Sequence, residues 1–195
     1  MSETSLSFLE RLRKPALDEA AWERLVELYA PLIKDWLRRY GVRQDEVDDL
    51  TQEVLATMHR EMPTFEHNRH AGAFRCWLRT ITVHRIRAFW KSRRSRPVAT
   101  ADSEVEQRLA QLEDPASGLS HLWDREHDHH VLRRLLKIVE PEFAPTTWQA
   151  FRSLALEGKR AAEVAAALGT TVNAVLLAKS RVLRRLRQEA RGLVD

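Results

Sequence analysis

The amino-acid sequence predicts an all-α protein of two small helical domains joined by a flexible linker, the second domain containing a helix-turn-helix. The chain of 195 residues has only 6 Gly and 7 Pro, whereas strong helix formers such as Leu, Ala, Arg and Glu abound. Apolar residues recur every three or four positions over most of the chain. Residues 98–120 lack that period and carry several Ser and Asp residues, which indicates a linker with at most a short helix over residues 104–112. We therefore predict domains over residues 1–97 and 121–195.

Three helices are expected in the first domain. The first covers residues 18–40, with Asp18 as its N-cap and Gly41 at its end, and the others cover residues 44–61 and 71–94. Their buried faces follow from the helical spacing of apolar residues. These are Leu25, Leu28, Leu32, Trp36 and Tyr40 in the first helix, Val47, Leu50, Val54 and Met58 in the second, and Phe74, Trp77, Leu78 and Ile81 in the third.

The second domain is predicted to contain helices over residues 119–139, 146–157, 161–168 and 171–191. The last two have the pattern of a helix-turn-helix, in which a short Ala-rich helix allows close approach and Gly169 supplies the turn. The residues expected to close their small core are Val164, Leu168, Val172, Val175 and Val182.

Charge is segregated along the first domain. Residues 44–53 carry five acids and no base, and residues 75–96 carry eight bases and no acid. The net charge is only +4, but the sequence pI of 9.6 and the clustering of the bases favour an anionic partner. These two segments predict two partners, a basic protein surface for the acidic segment and nucleic acid for the basic one.

The basic segment also contains aromatic residues. Bases that hold phosphates, placed beside rings that stack on bases, are typical of proteins that bind single-stranded nucleic acid. Trp90 falls outside the buried stripe and is the candidate for stacking, although a Trp packed on the surface is an equally good interpretation.

Cys76 is the only cysteine, which excludes an internal disulfide and fits a reducing compartment; we expect a packed, inert thiol. No signal peptide is evident, and no run approaches the ~20 apolar residues that span a bilayer. The sequence therefore predicts a cytoplasmic protein without a membrane partner.

Catalysis is not expected, because the sequence offers no nucleophile–base set and no glycine loop that would hold phosphates. The acids of residues 44–53 come from one helix, whereas a metal site usually draws ligands from several elements. The histidines at positions 121, 127, 129 and 130 lack the spaced pairs of a zinc site and are expected to be exposed. We predict no catalytic residue, metal or cofactor.

Taken together, three features resemble the extracytoplasmic-function sigma factors, group IV of the sigma-70 family of bacterial RNA polymerase. They are the segment DEVDDLTQEV, the following AFRCWLRTITVHRIRAFWKSRR and the helix-turn-helix. The resemblance runs in the family's order over nearly the whole chain. It implies a subunit that directs promoter-specific initiation, with core RNA polymerase and promoter DNA as partners.

The resemblance also implies roles for particular residues. Docking on core polymerase is carried over to Asp48, Asp49, Gln52 and Glu53. Contact with the promoter −10 element is carried over to Asn68, Arg69, Arg79, Arg85, Arg87, Trp90, Lys91, Arg93 and Arg94. The outward side chains of the last helix, expected to contact the −35 element, are Thr171, Asn173, Ala174, Leu177, Lys179, Ser180, Arg181 and Arg184.

The resemblance has one departure and leaves two regulatory partners open. Many family members carry Lys-Ser-Arg where this chain has Leu176, Leu177 and Ala178. An anti-sigma factor is one candidate partner. A kinase is the other, since phosphorylation of Thr51 would add negative charge to the docking segment, although a Thr packed in the helix is the simpler interpretation.

The alternative function is a transcriptional regulator that binds duplex DNA through its helix-turn-helix without being a polymerase subunit. It explains the second domain equally well. It gives no role to the acidic segment or to the long basic helix.

Overall fold

The structure is a computed structural model that describes residues 8–12, 18–66, 72–93, 99–191 and 193. These residues are mostly helical and include no β-strand, so the predicted all-α class is confirmed. Contacts between Cα atoms divide the chain into two units, of which the first ends at Val131 and the second covers Leu132–Arg191.

The first unit contains the three helices predicted for it, with ends within two residues of the expected ones. A short 3-10 turn, Met62–Thr64, follows the second of them. The helices of this unit are α1 (Phe8–Leu12), α2 (Glu19–Arg39), α3 (Gln44–Glu61), α4 (Ala73–Arg93), α5 (Ala99–Glu113) and the first part of α6 (Gly118–Val139).

Local chemistry explains both ends of α2. The Asp18 carboxylate accepts a hydrogen bond from the backbone N–H of Ala21 at 3.1 Å, as predicted for an N-cap. Gly41 has a φ of +77°, which a residue with a side chain rarely adopts. Its N–H donates to the carbonyl of Arg38, and that of Val42 donates to the carbonyl of Leu37, so the last carbonyls of α2 are satisfied.

The predicted apolar stripes of α2, α3 and α4 form the core of the first unit. Every predicted position is buried except Trp77, which is half-buried against Phe65 with ring centroids 4.8 Å apart. The segment predicted as a linker is mostly helical. Its helix α5 is longer than the short helix expected and packs against α4, while Trp123 of α6 is buried 4.5 Å from Trp36 of α2.

The second unit holds the end of α6 and four further helical segments. These are α7 (Pro145–Phe151), a π-helical turn (Arg152–Leu156), α8 (Ala161–Ala167) and α9 (Val172–Ala190). The helix expected at Thr146 begins instead at Pro145, because proline suits the first helical position, where its missing N–H leaves no bond unmade.

Helices α8 and α9 meet at a bend of 105°, within the range usual for a helix-turn-helix. Gly169 has a φ of +61° and permits the turn. Val164 and Val175 are buried in a core with Ala150, against which Leu168 packs. Val182 is also buried, but Val172 was wrongly placed in the core, because at the start of α9 it points outward and is 44% exposed.

No single helix in the described ranges is long and apolar enough to cross a membrane. Helices α8 and α9 meet the length and composition criteria only as a bent pair.

Candidate polymerase-docking and DNA interfaces

The four residues predicted to dock on polymerase share one face of α3. Asp48, Asp49, Gln52 and Glu53 are all exposed, and we call them the acidic surface. Their spacing places them side by side on successive turns, while the opposite face of the helix is buried in the core. Two further acids, Asp45 and Glu46, lie in the first turn of α3, where the helix dipole favours negative charge. The core therefore fixes the direction in which this surface faces.

Basic residues of neighbouring helices touch the acidic surface at its margins. Lys34 Nζ lies 2.8 Å from an Asp48 carboxylate oxygen, and Arg85 Nη1 lies 3.9 Å from Glu53. The hydrogen bond from Lys34 and the charge of that ammonium hold the pKa of Asp48 below its ordinary value. Asp48 therefore stays ionised at neutral pH and remains able to attract a basic partner.

Thr51 does not belong to the acidic surface, although it lies within the same sequence segment. Its side chain is 1% exposed, and its hydroxyl donates to the backbone carbonyl of Val47 at 2.7 Å. A kinase cannot reach this hydroxyl while α3 is folded. The idea of a phosphorylated Thr51 is therefore wrong for the folded protein, and the residue is packed in the helix instead.

The bases of α4 differ in how far they are available to an anion. Lys91 and Arg93 are exposed, and the Arg93 guanidinium lies 4.4 Å from the centre of the Phe89 ring. Arg93 also forms an ion pair with Glu46 of α3. Arg85 and Arg87 are half-buried. Lys91 is therefore the base of α4 most open to an anion, whereas an anion that contacts Arg93 must displace Glu46.

Arg87 is held by two carboxylates of α5. Its Nε lies 2.9 Å from Glu106 and its Nη1 lies 2.6 Å from Glu113. The hydrogen bond to Glu113, reinforced by the one to Glu106, keeps the pKa of Arg87 above its ordinary value against the opposing effect of burial. A phosphate that contacts Arg87 must displace these carboxylates.

Arg79 lies in the interior of the first unit, which corrects its predicted place among the DNA contacts. It is 6% exposed, its Nη1 donates to the Ser120 hydroxyl, and the same atom lies 3.6 Å from Asp124. Neutralisation by Asp124 explains how the charge is tolerated there. Cys76, one turn earlier, is exposed, so the expected burial of its thiol is wrong.

Trp90 is half-buried and anchored. Its indole N–H donates to the backbone carbonyl of Tyr40 at 3.2 Å, and its ring meets Phe89 edge-on at 5.2 Å. A side chain on Gly41 would stand 3.5 Å from the Trp90 ring. Trp90 therefore closes the contact between the end of α2 and α4, and only part of its ring is open to a base.

A polar network that the sequence gave no reason to expect joins α2, α4 and α6. His127 was expected to be exposed, but it is fully buried, with Nε2 3.2 Å from the Tyr29 hydroxyl and Nδ1 2.9 Å from Asp128. Arg75 also reaches Asp128, at 3.2 Å. Burial raises the pKa of Asp128, but the bond from His127 and the Arg75 charge outweigh it, so the net pKa is below the ordinary value.

In the second unit, α9 presents the side chains predicted to face outward. All eight are exposed except Lys179, which is half-buried. Thr171 caps the helix by accepting from the N–H of Ala174 at 3.2 Å. Arg185 fixes the far half of α9, since its Nε and Nη1 each lie 2.6 Å from a carboxylate oxygen, of Glu142 and Glu189 respectively.

A comparison with models of known protein families finds a match within the first unit. Residues 25–96 match the family model of sigma-70 region 2. This segment is similar to sigma-70 region 2. The match includes both the acidic surface and the basic helix α4, and it supports a sigma factor of the sigma-70 family, with core RNA polymerase and promoter DNA as partners. No curated protein matches the chain.

Three of the predicted region 2 contacts, Asn68, Arg69 and Arg94, lie outside the described residues. Sigma-70 family factors are initiation factors without catalytic activity, so the prediction that this protein is not an enzyme is confirmed. Within the described ranges, no three His, Cys, Asp or Glu residues are grouped as a metal site would require. The observed roles of His127 and Asp128 are structural.

Proposed function

We propose that this protein is an extracytoplasmic-function sigma factor that binds core RNA polymerase and directs initiation at promoters with particular −10 and −35 elements. The observation that carries the proposal is the coincidence of sigma-70 region 2 with an exposed acidic surface and an adjacent basic helix. A second helical unit follows it, with two helices bent by 105°. We assign docking and contact with the −10 element to residues 1–97, and contact with the −35 element to residues 121–195. Residues 98–120 connect the two.

The acidic surface is proposed to dock on a basic surface of polymerase. Its supports are the exposure of all four residues and the burial of the opposite face of α3. Because the helix backbone is packed against the core, little backbone freedom is lost on binding, which favours affinity.

Contact with the −10 element is proposed for the accessible part of α4. Lys91 is exposed, and Arg85, Arg87 and Arg93 become available when their carboxylate partners are displaced. The half-buried Trp90 is the proposed stacking residue. Asn68, Arg69 and Arg94 complete the proposed set.

Contact with the −35 element is proposed for α9, which would lie in the major groove as the second helix of a helix-turn-helix. The bases Arg181 and Arg184 are exposed on it and suit flanking phosphates. A cytoplasmic location and control by an anti-sigma factor complete the proposed function.

Run-off transcription with core RNA polymerase tests this function. A pool of promoter fragments is transcribed with and without the protein, and transcripts with discrete starts are expected only when it is added. Their upstream sequences give the two elements. Sequence-specific binding to duplex DNA without polymerase, together with no transcripts and no complex with core, would favour the alternative of a helix-turn-helix regulator.

Neutralising the carboxylates that hold Arg87 should strengthen binding to single-stranded DNA. The change is Glu106→Gln with Glu113→Gln. One additional phosphate contact steepens the slope of log affinity against log salt concentration by about 0.7 for a single strand. The measurement is a salt titration with an oligonucleotide of the selected −10 sequence, using the complex with core polymerase.

The matched control removes two exposed acids elsewhere in the first unit, Glu23→Gln with Glu104→Gln, and so makes the same change in net charge. If the control steepens the slope equally, the effect comes from overall charge and Arg87 has no specific part in it.

A further inference from the structure

The first turns of α9 expose an unusual amount of apolar surface. Val172 is 44% exposed, and Leu176 and Leu177 are each 48% exposed. Single exposed leucines are ordinary on proteins. Here, however, three apolar side chains stand within six residues, at the end of α9 that a helix-turn-helix directs toward DNA. Exposed bases follow them on the same helix, which favours a partner with both apolar and anionic groups.

Leu177 occupies the centre of the outward face. Asn173 precedes it by four residues and Arg184 follows it by seven, so the three lie along one stripe. The buried Val175 and Val182 lie on the opposite side of α9. Along this stripe the helix therefore presents the amide of Asn173, the branched side chain of Leu177 and the guanidinium of Arg184, in that order.

The surroundings of Leu177 suit a partner that carries both apolar and anionic groups. Leu177 lines a groove of about 330 Å³ together with Thr146, Thr170, Ala174 and Arg181, and no acid is among its lining residues. Most of the lining is apolar, while Arg181 and the hydroxyls of Thr146 and Thr170 can bind a phosphate of the kind that lines the walls of the DNA major groove. On the floor of that groove, the C5-methyl of thymine is the apolar group that base edges present.

We propose that Leu177 reads the −35 element by packing against a thymine C5-methyl group, with Leu176 shielding the contact from water. Asn173 and Arg184 set the position of α9 on either side of that contact. This inference rests on the proposed sigma-factor function and adds to it the chemical group that the helix recognises.

The test replaces thymine by deoxyuridine, which removes the methyl and keeps every hydrogen-bonding group. Each thymine of the selected −35 element is replaced in turn, and the affinity of the complete holoenzyme for the duplex is measured. Loss of one buried methyl is expected to weaken binding about threefold to fourfold at the contacted position. With Leu177→Ala, the thymine and deoxyuridine duplexes should bind equally well, because the leucine no longer covers the methyl.

Leu156→Ala is the matched control, since Leu156 is also an exposed leucine of the second unit but lies outside α9. This variant should retain the full preference for thymine. Circular dichroism of each variant checks that the helices remain folded.

Two results would overturn the inference while leaving the sigma-factor function intact: a thymine preference that survives Leu177→Ala, or promoter-specific initiation with no effect of deoxyuridine. The exposed leucines would then be assigned to a protein partner. Absence of any promoter-specific complex with core polymerase is the separate result that removes the proposed function itself.

Discussion

Neutralising Asp48 and Asp49 together, as Asn, is expected to lower affinity for core RNA polymerase by at least about tenfold. Truncating one member of a hydrogen-bonded charge pair in an interface typically costs about 2–5 kcal/mol when the pair is buried there. Both carboxylates are exposed in the free protein and stand on a helix fixed by the core, so they are available to form such pairs. Titration of labelled core polymerase with each variant measures the change.

The control for this change is Glu23→Gln with Glu27→Gln, which removes two exposed acids from α2. This pair should leave polymerase affinity close to the parent value. The difference between the two variants should shrink at high salt, because screening weakens exposed charges. If both pairs weaken binding equally, docking depends on net charge and the acidic surface has no specific role.

Trp123→Ala should destabilise the first unit by about 3–5 kcal/mol, the usual cost of truncating a buried aromatic residue to Ala. Trp123 is fully buried, and its ring lies 4.5 Å from that of Trp36. The contact joins α6 to α2 and brings the segment after residue 113 onto the core. Denaturant unfolding followed by circular dichroism gives the free energy of unfolding.

Trp22→Ala provides the comparison, because Trp22 is only half-buried and meets the His59 ring edge-on at 4.7 Å. Its loss should cost clearly less than the loss of Trp123. If the cost of Trp123→Ala were as small as that of Trp22→Ala, α6 would not be an integral part of the first unit. Trp123→Phe should recover part of the stability by refilling the space.

Periodicity was sufficient to predict α2, α3 and α4 and, apart from Trp77, their buried faces. A stripe such as Leu25, Leu28 and Leu32 is a local property, since the spacing of 3.6 residues per turn decides which side chains share a face. The exposure of the acidic surface follows from the same rule, because Val47 and Leu50 must face the core. The cap at Asp18 is equally local.

The errors concern residues whose environment is set by distant parts of the chain. Arg79 was expected at the surface because its own helix is basic, but its partners are Ser120 and Asp124, about 40 residues away. Likewise, His127 was expected to be exposed because its sequence neighbours are polar, but it is buried and contacts Tyr29 of a distant helix. The pattern of residues within one helix does not show which of its polar groups is buried against a partner on another helix.

If the acidic surface and the bases of α4 bind the partners proposed for them, the ion pairs between α3 and α4 couple the two binding events thermodynamically. Glu53 pairs with Arg85, and Glu46 pairs with Arg93. A basic ligand that takes Glu53 releases Arg85 for an anion, and an anion that takes Arg85 releases Glu53. The two binding events therefore favour one another by the same free energy in either order. Exposed ion pairs are worth about 0.2–1 kcal/mol, so this cooperativity amounts to a factor of about five at most for each pair.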